Sequence, residues 1–123
     1  MVFYTQISSL RDFFIFASQL PSSTMKAHIE QLKQLLIEHK LWQWHAPDLE
    51  RLQSQQPFAV DTLQPEQWLQ WIFIARIEAL IAAGAPLPNG FSIAPYFEEV
   101  WKHQPDYQPI IQLLTQIDEQ AHD

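Results

Sequence analysis

No cysteine occurs in the chain, so a disulfide, a thiolate metal site and a cysteine nucleophile are all excluded. Two glycines in 123 residues leave no material for a glycine-rich phosphate loop. Positive charge is scarce as well: seven lysines and arginines stand against fourteen acidic residues, a net charge of −7. The basic residues are isolated from one another, and binding to nucleic acid rests on cationic side chains displacing phosphate counterions. Direct nucleic-acid binding is therefore disfavoured. Long apolar runs are missing too. The patch Phe13-Phe14-Ile15-Phe16 is too short to span a bilayer and lacks the flanks of a signal peptide, and Arg76 and Glu78 interrupt the one longer stretch. No membrane association is expected, and the chain reads as cytoplasmic.

What remains is apolar and helical. The composition is 47% apolar and 13% aromatic, enough to supply the core of one domain. Apolar spacing predicts main helices over 25–40, 65–83, 95–102 and 107–121, and a short one over 10–19 stopped by Pro21. Met25, Ile29, Leu32, Leu35 and Leu36 line one face of the first of these. Pro65 fits a first helical position, and Gly84 a stop. Residues 42–58 have no period and read as a long loop. No segment alternates with period two. The expected class is all-α, a compact helical bundle of four to five helices around a buried central helix. Residues 1–24 read as an N-terminal extension, either an extra helix or a leader, and 25–123 as the helical domain.

The central helix carries the sharpest single residue. From Trp68 to Ala83 only Gln70, Arg76 and Glu78 are polar, and a helix apolar nearly all round should be enclosed. A guanidinium there needs a carboxylate, because an unpaired buried charge is very costly. Asp61 is the first choice for a structural ion pair with Arg76, with Glu98 and Glu99 as alternatives. An anion-receiving role for Arg76 is the competing reading, and a capping role for Asp61 stays open.

The residues Gln56-Pro57-Phe58, Asp61-Thr62, Pro65, Trp68-Leu69-Gln70-Trp71, Arg76, Pro86-Leu87-Pro88, Phe91, Ala94-Pro95-Tyr96 and Glu98 form a pattern that helix physics does not require. In them the chain resembles the YqcC-like family of small bacterial helical proteins. The resemblance runs more loosely from about Met25 to the C-terminus and leaves 1–24 uncovered. It implies a helical bundle and an association with tRNA pseudouridine synthase C, beside which such proteins are often encoded and whose name some of them carry.

Catalysis finds little support in the residues themselves. Asp61 is the one acid in the first half of the pattern, but no basic cleft accompanies it, so no catalytic residue is assigned. His28, His39, His45, His103 and His122 lack ligand spacing, so no metal and no cofactor are expected. Trp68, Trp71 and Phe73 read as core. Two aromatic groups remain as candidates for binding a protein partner: Leu87, Pro88, Phe91, Pro95, Tyr96 and Phe97 around rigid prolines, and Trp42 with Trp44 in the long loop. The expectation is an accessory or interaction module whose partner is a tRNA pseudouridine synthase. A direct tRNA-binding factor, or synthase activity carried by this chain, is the alternative.

Overall fold

The structure is a computed structural model that describes residues 14–122, with side chains from Thr24 onward. Helix α1 (Phe14–Glu38) is followed by the one-turn α2 (Leu49–Leu52) and a 3₁₀ turn at Pro57–Ala59. The central helix, 65–83, begins as α3 (Pro65–Trp68), passes through a π turn (Leu69–Ile74) and continues as α4 (Ala75–Ala83). Then come α5 (Ala94–Val100) and α6 (Gln108–Ala121). Among the described residues there is no strand, and four principal helices with the small α2 make the all-α bundle that the spacing predicts.

The central helix starts and stops for local reasons. Pro65 opens α3, where its missing N–H is no loss, and the Gln67 side chain accepts a hydrogen bond from the Gln64 backbone N–H at 2.8 Å. Gly84 closes α4 in the left-handed region at φ 66°, and the Ala85 N–H reaches back to the Leu80 carbonyl at 2.9 Å. Met25, Ile29, Leu32 and Leu36 of α1 meet Ile110, Leu113, Leu114 and Ile117 of α6 in one core, which Leu69, Ile74, Ile77 and Phe97 complete.

Two expectations need correction here. Residues 10–13 of the short predicted helix lie outside the described residues. The rest of it belongs to α1, which runs on past Pro21 as one helix with the predicted 25–40 segment. A proline removes one hydrogen bond and crowds the preceding turn, about 3 kcal/mol, which kinks a helix as readily as it ends one.

The second concerns the enclosure of the central helix. It buries Leu69, Gln70, Phe73, Ile74 and Ile77, but Ala75, Arg76, Ala79, Ala82 and Ala83 face solvent. Counting alanine as apolar overstates how much of a helix must be covered, since a methyl group exposes little area. The π turn also rotates the two halves relative to one another, because it inserts a residue into the α-helical register.

Candidate protein-docking site

The predicted ion pair does not form. Arg76 is exposed on the alanine face, and no carboxylate lies within salt-bridge distance of it among the described residues. With solvent around the guanidinium, the need for a partner disappears. Asp61 is exposed too and accepts a hydrogen bond from the Ser54 hydroxyl. Of the alternative acids, Glu99 pairs with Lys102 at 2.7 Å, which holds its carboxyl below the usual range.

The residues around the rigid prolines are largely spent on the interior. Phe97 is 0% exposed and drops out as a contact residue. Phe91 packs edge-on against Phe73 at 5.5 Å, and Leu87 lies against the core, half-buried. Tyr96 stacks on Phe58 with centroids 4.1 Å apart, and Phe58 in turn leans on Trp68 at 4.7 Å. Burial, with a smaller contribution from Glu66, pushes the Tyr96 hydroxyl above the usual phenol range. Phe58 reaches this place from a left-handed backbone at φ 57°. The Gln-Pro-Phe, Trp-Leu-Gln-Trp and Ala-Pro-Tyr pieces of the pattern thus converge on one aromatic cluster. Pro88 and Pro95 stay exposed.

A buried carboxylate that sequence reasoning missed anchors the same region. Asp118 of α6, 7% exposed, accepts hydrogen bonds from the backbone N–H groups of Ile93 and Ala94 at 2.8–2.9 Å. It caps α5 from another helix, placing negative charge at the positive end of the helix dipole. Its signal was available: it stands four residues after Leu114, so the apolar repeat itself puts an acid on the buried face.

The long loop behaves differently. Gln70, 4% exposed in the π turn, exchanges two hydrogen bonds with the backbone of Gln43. The Gln43 N–H donates to Gln70 Oε1 and Gln70 Nε2 donates to the Gln43 carbonyl, both at 2.8 Å. This reproduces with a side chain the paired exchange of an antiparallel sheet. Trp71 Nε1 donates to Gln43 Oε1 at 3.0 Å, and Gln67 Nε2 reaches the same oxygen at 3.3 Å. Gln43 is fixed, and its neighbours are fixed with it. Trp42 turns partly inward while Trp44 is 74% exposed, their rings edge-on at 6.4 Å.

Beside this clamp an open groove of about 270 Å³ is lined by Trp42, Trp44, Trp71, Ile74, Ala75 and Glu78. Lys33 of α1 contacts two of these lining residues. Its ammonium donates to Glu78 at 2.8 Å and lies 5.9 Å from the centre of the Trp42 ring. That hydrogen bond holds the Lys33 pKa above the usual lysine value despite some opposing desolvation.

No group of three or more His, Asp or Glu side chains converges to hold a metal among the described residues, and none of their helices is long and apolar enough to cross a membrane.

A small all-α bundle displaying a preordered tryptophan loop is the class that fold and surface define. The family described as tRNA pseudouridine synthase C matches residues 24–120. An uncharacterized protein of Haemophilus influenzae is 40% identical over 94 residues, 76% of this chain and 89% of that one. The uncharacterized protein YqcC of Escherichia coli is 39% identical over 74 residues, covering 60% of this chain and 68% of YqcC. The solution NMR structure of Escherichia coli YqcC superposes with a TM-score of 0.74 at 33% identity, over 84% of this chain and 89% of that one. A tRNA pseudouridine synthase C of Pectobacterium carotovorum is 35% identical over 71 residues, 58% of this chain but 19% of the longer protein. The chain belongs to the YqcC-like family.

Proposed function

We propose that the chain is an accessory, protein-binding module that works in the cytoplasm with a tRNA pseudouridine synthase. The observation that carries this reading is the extent of the Pectobacterium match: the similar segment makes up 19% of a protein named for that activity. Most of that protein therefore has no counterpart in the matched segment, and the segment lies in the same chain as the rest.

Charge supports the same division of labour. A chain with a net charge of −7 repels tRNA but is drawn to the basic surface that an RNA-modifying enzyme presents. Asp61, the acid weighed for catalysis, lies in solvent and accepts one hydrogen bond from Ser54, with no basic cleft beside it in the sequence.

A gel-shift titration of tRNA with the chain, the synthase and both together tests the proposal. The chain alone leaves tRNA unshifted at physiological salt, whereas with the synthase it supershifts the complex. Retardation of tRNA by the chain alone at that salt, or pseudouridine formation by the chain alone, overturns the reading.

A further inference from the structure

We infer that the tryptophan groove is a receptor for a cationic side chain, an arginine presented by the basic protein partner. The inference rests on the accessory reading above and names the chemistry by which the partner is gripped. Trp42, Trp44 and Trp71 contribute three aromatic walls, and Glu78 contributes a carboxylate. Indole faces attract cations through the ring quadrupole, most strongly among the aromatic side chains, and a nearby carboxylate adds direct charge. The protein already uses this chemistry once at the same place. Lys33 sits over Trp42 while donating to Glu78. Among the described residues, no cation lies over Trp44 or Trp71.

The dimensions and the rigidity fit as well. About 270 Å³ accommodates a planar guanidinium and its aliphatic stem, and the open side admits a side chain carried on a bulky partner. The groove is preordered, because Gln70 holds Gln43 at both backbone groups and Trp71 is tied to the Gln43 side chain. Little conformational freedom is lost on docking, which raises the net affinity of each contact. A guanidinium also stacks flat on an indole, which an ammonium does not.

The test uses the full chain and two blocked pentapeptides, Gly-Gly-Arg-Gly-Gly and its citrulline counterpart, which keeps the shape and removes the charge. The indole N–H resonances of Trp42, Trp44 and Trp71 are followed by NMR at constant ionic strength. The arginine peptide is expected to shift them saturably and the citrulline peptide to act about two- to fivefold more weakly, as loss of one exposed cation–aromatic contact implies. Trp44→Ala should weaken arginine binding by a similar factor and Trp44→Phe by less. Both variants are expected to fold, because Trp44 is 74% exposed. Equal response to both peptides, shifts confined to other residues, or no shift at all overturns the inference. The two proposals fail separately. If the synthase is captured equally by wild type and Trp44→Ala, the groove is not its receptor and the accessory reading stands. If arginine binds but no synthase is captured, the groove stands and its assigned partner falls.

Discussion

Arg76 and Gln70 sit six residues apart in the same helix, and each reverses the weight its chemistry suggests. The charged residue is solvated, while the neutral amide is buried and bonded at both ends. Arg76→Ala is therefore expected to change stability by less than about 0.5 kcal/mol in urea unfolding, as for other exposed sites without partners. Gln70→Leu keeps the bulk but strands a backbone N–H and a carbonyl of Gln43. A loss of about 1–3 kcal/mol is expected, read as a lower urea midpoint at unchanged slope. Both residues were visible in the sequence as polar interruptions of an apolar run. What the sequence did not carry was direction: five small or polar residues, Ala75, Arg76, Ala79, Ala82 and Ala83, share the open face. The π turn that aims Gln70 at the loop follows from packing with no composition signal of its own.

At the level of elements, local chemistry was the legible part. Pro65 and Gly84 bound the central helix where the sequence places them, because a ring-locked φ and a left-handed φ are properties of single residues. Gly84→Ala should cost about 1 kcal/mol from the left-handed backbone alone, since an added Cβ meets no atom within 4 Å. The start of α5 was legible to within one residue, but its cap was not, because the cap comes from α6, 24 residues further on. Asp118→Asn removes the charge and turns an amide donor towards donors already present. A loss of about 1–3 kcal/mol is expected, with α5 and its Tyr96 stacking loosened first in near-ultraviolet circular dichroism. The two aromatic groups named as binding candidates looked alike in sequence. Tertiary contact separated them, burying Phe97 and leaving Trp44 out.

For the molecule as a whole, stability and docking are expected to come apart. Trp44→Ala should leave the melting temperature within about 3 °C, in keeping with an exposed site, and weaken capture of the partner. Alkaline pH bears on the fold instead. Lys33 has a raised pKa in the folded state because it donates to Glu78, and Tyr96 has a raised pKa because it is buried. Raised folded values mean that both contributions are complete below the ordinary lysine and tyrosine values of 10.5 and 10.0. Both are lost as pH climbs from there through the folded values. Unfolding midpoints should fall in that window, and Lys33→Met and Tyr96→Phe should each flatten the decline.

The glutamine clamp has one more consequence, a kinetic one. An amide in a long irregular loop normally trades its proton with solvent within moments, because nothing regular protects it. The Gln43 N–H donates to a side chain rooted in the buried turn of the central helix. Its proton should therefore exchange with deuterium on the schedule of that helix. A single slow amide flanked by fast ones would mark the loop as opening only when the core itself opens.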